Sequence, residues 1–350
     1  MNIPKRLIAF SLVALLGCAG GGGKKKQTFG GKELPPPPEP PAAPARKDEP
    51  VDAALVAAAR QELTAAARSD NPLLRENAME AARHVSDPAV QALVPPALDD
   101  RERVIRFRAA LAAGEQRLAD ALPKLRQMVE QTDDDHLRTA VIFALHRLGV
   151  TDYTHDLEKT AASSDPGVRG DTAFVLGLLG EKSALRTDRS ILKVLARDSD
   201  PVVRQRAWEA MWKLGDRSYV DELVGLTLSK YADDQQLALL ALAAPRNGSV
   251  REAVRSALTG EHAETNLVAA QAMGMLGSDE GYGVALKGAK SGEGRQRFLA
   301  ALAFGAIGRT DAQPVLRTLM KDKDPRVRVA AATAVLEIAS NAQSAVTKSQ

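Results

Sequence analysis

The chain contains one cysteine, Cys18, in 350 residues. The region after it therefore has no disulfide available, whatever the redox state of its compartment. Aromatic residues make up only 4 % of the chain, so a core has to be assembled from small aliphatic side chains, alanine above all. No run of alternating β-branched residues argues for strands. There is no G-x-S-x-G, no P-loop and no dinucleotide fingerprint after a strand. Five histidines occur, at 84, 136, 146, 155 and 262, with no His-Glu dipeptide and no H-E-x-x-H. His84 and His146 fall in different repeats without a ligand cluster, so no metal, cofactor or small-molecule substrate is expected, and no enzyme activity.

Charge of one sign is also lacking. The formal net charge is +3. Residues 1–50 hold eight of the basic and four of the acidic side chains, which leaves 39 basic against 40 acidic residues in 51–350. A nucleic-acid-binding solenoid carries a basic stripe, and this balance argues against that class.

What the chain has is a period. Asp165-Pro-Gly-Val-Arg169 opens a 16-residue string that closes on Leu176-Gly-Leu-Leu-Gly180. The unit reads D-P-x-V-R-x-x-A-A-x-A-L-G-x-L-G. Copies start at Asn71, Glu102, Asp134, Asp165, Asp200, roughly Ala232, His262, Glu293 and Asp324, with steps of 31, 32, 31 and 35 before a degenerate sixth copy and 31 in the last two intervals. Asp-Pro is a helix start, because the carboxylate caps free N–H groups and proline suits the first turn. Positions 4, 8, 11, 12 and 15 form one apolar helix face, and glycine at position 16 ends the helix. A second amphipathic stretch follows each string, so each unit predicts two helices, and a repeat of this kind stacks into a solenoid.

These residues resemble the HEAT-repeat family, in its short bacterial form related to the HEAT-like repeats of phycobilisome lyases. The resemblance covers about residues 70–340. It implies an all-α fold, a right-handed α-solenoid of about nine helix pairs occupying residues 51–340, with a disordered tail at 341–350. In this family the position-5 arginines bond one repeat to the next, often through the Asp of an Asp-Pro. Here they are Arg75, Arg106, Arg138, Arg169, Arg204, Arg297 and Arg328. The metal-dependent deoxyhypusine hydroxylases of the family require paired His-Glu motifs, which this chain lacks.

The front end is a separate matter. Lys5 and Arg6 precede an apolar run from Leu7 to Leu16, too short to span a bilayer as a stable anchor. Leu15-Leu16-Gly17-Cys18 resembles the bacterial lipobox, which implies a signal peptide at 1–17, lipidation at Cys18 and a bilayer partner. Ala19 after Cys18 favours the outer membrane, facing the periplasm. Residues 18–50 read as a tether. Gly20 to Gly23 are flexible, Lys24 to Lys26 are positioned for anionic headgroups, and Pro35 to Pro41 form a polyproline II spacer.

Taking 100° per residue, positions 6 and 10 of the string point away from its apolar face. Phe107, Leu111, Phe143 and Phe174 then line a groove across copies two to four, and Phe298 with Leu302 form a second patch. The expected occupant is a protein or peptide held on the concave face by helix-in-groove contact. Trp208 and Trp212, replacing small residues at positions 9 and 13, are expected to spread one repeat junction. The function expected is a membrane-anchored scaffold or adaptor of the bacterial cell envelope. A lyase-like or chaperone-type protein assisting an enzyme, and a structural lipoprotein engaging cell-wall polymer, are the alternatives.

Overall fold

The computed structural model describes residues 28–29, 32–33, 39–47, 49–180 and 186–349. Nine helix pairs follow one another. They are α1 (Ala53–Ala67) with α2 (Pro72–His84); α3 (Pro88–Gln91) and α4 (Val94–Ala97) with α5 (Arg103–Glu115); α6 (Leu122–Gln131) with α7 (Asp135–Arg147); α8 (Asp156–Ala161) with α9 (Pro166–Leu179); α10 (Arg186–Leu195) with α11 (Pro201–Lys213); α12 (Val220–Leu226) with α13 (Ala232–Ala243); α14 (Arg251–Arg255) with α15 (Ala263–Met275); α16 (Tyr282–Ala289) with α17 (Gly294–Ile307); and α18 (Gln313–Leu319) with α19 (Pro325–Ser349). A two-residue antiparallel pair, Thr28–Phe29 with Lys32–Glu33, is the one strand pairing among the described residues. The all-α solenoid is the expected fold, with the D-P string supplying the second, inner helix of every pair.

Local chemistry sets the helix ends. Asn71, Asp134, Asp165 and Asp200 each accept a backbone N–H from the first turn of their own helix. Pro72, Pro166 and Pro201 stand at the first helical position, where the missing N–H costs nothing. At position 16 the chain turns left-handed, as at Gly180 (φ 76°) and Gly308 (φ 73°). Arg117 and Arg246 adopt the same conformation, with φ of 53° and 57°. Arg246 therefore marks position 16 of the degenerate copy, which starts at Tyr231 and restores an even 31-residue step from Asp200 to Tyr231 to His262. Copy nine has Ala339 at position 16, so nothing stops α19. It continues to Ser349, where a disordered tail was expected.

The inner helices touch in succession, α2 to α5, α7, α9, α11, α13, α15, α17 and α19, and α19 touches both α1 and α2. The solenoid thus closes on itself. Nine repeats share one full turn, about 40° each, a curvature that accumulates from small per-repeat rotations. Position 13 sets how closely neighbours approach. A Cβ on Gly177 would stand 2.8 Å from the Ala210 Cα, and one on Gly114 would stand 2.8 Å from the Ala144 Cα. Between α11 and α13 that position holds Trp212 instead. Its buried ring spreads the junction, and its indole N–H donates to the Leu242 carbonyl at 2.9 Å. Trp208 stacks on Tyr219 at 5.8 Å. The α9–α11 junction, across the long step before Asp200, stays tight, and the junction with little helix contact is the next one, α11 to α13.

The joint between first and last repeats is sealed by α1 and by the segment before it. Leu55, Ala59, Leu63 and Ala66 are buried. Glu62 accepts from Arg328 at 2.9 Å, and Asp52 pairs with Arg317. Residues 39–47 and 49–50, read from the sequence as disordered tether, lie along α16 and α18. Arg309 donates to the Pro44 carbonyl at 3.1 Å, Asp311 and Thr310 accept the Lys47 and Glu49 N–H groups at 3.0 Å each, and Gln313 donates to the Pro50 carbonyl at 2.9 Å. Proline-rich backbone leaves many carbonyls without a local donor, and here the last helix pair supplies donors. Arg309 is 1 % exposed. Asp311, Asp279 and the Tyr282 ring, 4.0 Å from its guanidinium, hold it in place.

Candidate functional site

The position-5 arginines work in two ways. Each donates to carbonyls of the turn before its own helix, as Arg204 does to the Asp198 carbonyl at 2.7 Å and Arg106 to that of Asp100 at 2.8 Å. Three also fork onto a carboxylate of the next repeat: Arg75 onto Asp100 (2.7 and 3.0 Å), Arg169 onto Asp198 (2.7 and 2.8 Å) and Arg297 onto Asp322 (2.5 and 2.9 Å). Arg328 reaches Glu62 across the closing joint. Arg106, Arg138 and Arg204 pair with no carboxylate among the described residues; Arg138 donates to the Val129 and Thr132 carbonyls. The acceptor is not the Asp of Asp-Pro, whose oxygen caps its own helix. It is the residue two places earlier, which also accepts the N-cap N–H, as Asp198 does from Asp200 at 2.9 Å. The guanidinium of Arg169 holds the Asp198 carboxyl below its ordinary range. In other copies a hydroxyl takes that place, at Ser69, Thr132, Ser163, Ser229 and Ser291. Aligning the copies two residues further upstream reveals this Ser/Thr/Asp column in the sequence.

The expected groove across copies two to four is not open. Phe143 and Leu111 are wholly buried. Gly114 makes the slot for Phe143, since a Cβ there would stand 2.7 Å from the ring's Cε1. Phe107, Phe174, Phe298 and Leu302 are half-buried against the core. The reason is curvature. Once nine inner helices surround one axis, positions 6 and 10 face neighbouring helices as much as the centre. Phe174 lies between Arg83 of α2 and Lys213 of α11, each 5.5 Å from its centroid. The first inner helix thereby meets the fourth across the ring.

Charged side chains gather around that contact. Arg83 forks onto Glu115 (2.7 and 2.9 Å) and onto Glu80 (2.9 and 3.1 Å). Arg108 lies 3.1 Å from Glu80 and 3.5 Å from Glu76, and His84 lies 3.4 Å from Glu80. Burial alone would raise the Glu80 carboxyl. Arg83 and Arg108 outweigh it and hold that carboxyl well below the usual range. Burial pushes the Glu337 carboxyl up, against the pull of His84 and Arg246. The concave face thus carries a self-neutralising network of ion pairs, in which Glu80 and His84 stay partly exposed. Its members come from positions 6, 7, 10, 13 and 14, and no short motif announces them.

A second network joins three inner helices. His136 on α7 bonds Asp171 on α9 at 2.7 Å, and Asp171 also pairs with Arg206 on α11. The Asp171 hydrogen bond raises the His136 pKa against the opposing effect of burial. No nucleophilic side chain joins this pair among its described contacts. No group of three or more His, Cys, Asp or Glu side chains is placed to hold a metal ion among the described residues, and no described helix is long and apolar enough to cross a membrane. Cys18 and the rest of the front end lie outside the described residues. A cleft of about 420 Å³ opens along the closing joint, lined in part by Leu55, Gln61, Glu62, Arg317, Met320 and Lys321.

Among solved structures the chain is similar to the CpcE–CpcF complex of phycocyanin lyase from Nostoc, at 20 % identity over 71 % of this chain and 97 % of that one, with a TM-score of 0.42. It is also similar to human deoxyhypusine hydroxylase in complex with glycerol, at 18 % identity over 81 % and 96 %, TM-score 0.34. A mutant of Kap121p is a third, at 14 % identity over 84 % and 38 %, TM-score 0.36. No curated protein matches the sequence. The family model described as HEAT repeats matches residues 60–146, 154–243 and 284–348, well over half of the chain, and the protein belongs to the HEAT-repeat family.

Proposed function

We propose that the protein is a membrane-anchored interaction scaffold of the bacterial cell envelope, not an enzyme. The observation that carries this reading is a ring of nine HEAT repeats whose concave face carries its own ion pairs, Arg83 with Glu80 and Glu115 foremost. With the concave face occupied by ion pairs and half-buried rings, the edges and the outer helices are the freer contact surface for protein or peptide partners. The anchoring half of the proposal rests on the lipobox-like Leu15-Leu16-Gly17-Cys18 and on Ala19, which favours the outer membrane facing the periplasm. A crosslinked pull-down of the protein from membranes, with Cys18→Ala as control, tests both halves. The Cys18→Ala protein is expected in the soluble fraction after a high-salt wash, which screens surface charge contacts. If it still fractionates with membranes, the anchor is wrong. If no protein crosslinks specifically to the wild-type chain, the scaffold reading is wrong.

A further inference from the structure

Among the described residues the exposed large apolar side chains are Val194, Leu228 and Tyr231, at 72, 79 and 53 %. All three sit on one edge of two consecutive repeats. Val194 is in the last turn of α10, Leu228 follows α12, and Tyr231 is the N-cap of α13. Because Asp200 and Tyr231 are equivalent N-caps, Leu228 is the counterpart of Arg197 one repeat earlier. Counterparts on neighbouring repeats stand on the order of 10 Å apart, one helix-packing distance, and somewhat more across the wide α11–α13 junction. The three apolar tips therefore share a convex edge, with Lys193, Arg197 and Lys230 exposed among them. None of these three cations forms an ion pair with a described carboxylate, and the Lys230 ammonium lies 4.9 Å from the Tyr231 ring centroid. Of the nearby acids, Asp198 is held by Arg169, Asp216 accepts from Ser218 and feels the Lys193 charge, and Asp233 is exposed.

Apolar tips and a tyrosine interleaved with unpaired cations match the interface of an anionic bilayer, where rings sit at headgroup depth and ammonium groups meet phosphates. The path of the chain agrees. From Asp52 the segment before α1 runs back along α18, past Gly283 of α16, where the Pro41 carbonyl packs, and brings Glu39 near Arg255 of α14. It leaves the ring beside repeat seven, on the side of repeats six and five. Twenty further residues, 19–38, reach at most about 70 Å. Thirteen-residue inner helices make the ring only about 20 Å thick, so a lipid on Cys18 can reach either edge.

We propose that the edge formed by Lys193, Val194, Arg197, Leu228, Lys230 and Tyr231 rests on an anionic lipid surface and orients the ring on the membrane. The inference deepens the membrane half of the proposed function, and its test is independent of the acyl group. Residues 18–350 carrying Cys18→Ala, which include every described helix, are sedimented with vesicles of phosphatidylglycerol mixed with phosphatidylcholine, and with phosphatidylcholine alone. Binding is expected to the mixed vesicles only. Lys193→Gln, Arg197→Gln and Lys230→Gln together are expected to lower the partition coefficient on the order of 100-fold, at about 1 kcal/mol per basic residue. Leu228→Ser with Tyr231→Ser is expected to lower it roughly 10-fold by removing apolar contact. Lys287→Gln, Lys290→Gln and Lys321→Gln, equal in charge and elsewhere on the surface, are expected to leave binding within about twofold. Thermal melts confirm that each variant is folded. Absence of binding to either vesicle, or an equal loss in the second lysine set, overturns the proposal. So does a variant that keeps vesicle binding but loses a crosslinked protein, which would make this edge a protein contact. Cys18→Ala protein that stays with membranes at low salt and is released by high salt, or by the three Gln substitutions, supports this edge, and retention that survives high salt bears on the anchor alone.

Discussion

Arg169 grips Asp198 through two parallel hydrogen bonds while its remaining nitrogen closes the turn that precedes its own helix, at 2.8 Å to the Ser163 carbonyl. One side chain thus fixes both its own repeat and the next. Lysine keeps the charge but cannot fork. Arg169→Lys is expected to destabilise the ring by roughly 1–3 kcal/mol. Arg204→Lys, at a copy without the carboxylate pair, is expected to cost about half as much or less. Urea unfolding of the two variants side by side checks the difference.

Arg117 occupies the left-handed position that glycine fills in five other copies. A non-glycine residue there costs about 1 kcal/mol. Arg117→Gly is expected to gain close to that amount, and Arg117→Ala to gain nothing, since alanine retains the strain. Thermal melts of the three proteins separate the two outcomes.

Much of this was legible in the sequence, and the legible part is local. Asp165-Pro166 states a cap and a first turn, and Gly180 states a stop, because both act within a few residues of themselves. Arg117 and Arg246 were obscured at position 16 because the conformation, and not the residue type, is what repeats. The placement of Phe143 was misjudged for a different reason. A helical wheel gives a direction, but whether that direction meets solvent depends on the angle between neighbours. Gly114, Gly177 and Trp212 set those angles jointly. Closure is the sum of nine such angles, so no single repeat contains it. The docking of residues 39–50 depends on Arg309 and Gln313, more than 250 residues away in the chain.

Asp234 occupies a position where Val168, Val203 and Val327 stand in other copies, and it is fully buried. Ser229 donates to one carboxylate oxygen at 2.6 Å, and the other has no partner. Burial raises its pKa. A carboxyl whose folded pKa exceeds its unfolded value favours folding most when protonated, so its contribution is lost as pH rises through the raised value. Asp234→Val is expected to stabilise the protein by about 1–3 kcal/mol at pH 7, and by progressively less as pH falls through the raised value toward the ordinary aspartate value of about 3.9. Unfolding free energies of both proteins across that range check the sign. A destabilised variant at pH 7 contradicts it.

His136 follows the same sign as Asp234, although a hydrogen bond and not burial is the main cause. Its pKa is raised chiefly by the hydrogen bond to Asp171, so the pair contributes fully below the ordinary histidine value of about 6.5. The contribution fades as pH rises through the raised value. The melting temperature is expected to fall by a few degrees at most as pH climbs from roughly 6 to 8. His136→Gln is expected to flatten that part of the profile.

Gly177→Leu tests the close approach of inner helices. Its Cβ would stand 2.8 Å from the Ala210 Cα, and overpacking of this kind costs about 1–3 kcal/mol or more. The same substitution at Gly225, where a Cβ meets nothing within 4 Å, is expected to be far milder. Denaturation midpoints compare the two.

The closed ring itself is tested most directly by a distance across its joint. Gln61 on α1 and Lys321 after α18 both line the cleft there, and both are exposed. Spin labels on Gln61→Cys and Lys321→Cys, in a Cys18→Ala background, report their separation by double electron–electron resonance. A closed ring gives one narrow, short distance. An open stack of nine helix pairs at about 10 Å spacing places the labels up to roughly 80 Å apart, and a long or broad distribution of that kind would contradict the closed architecture.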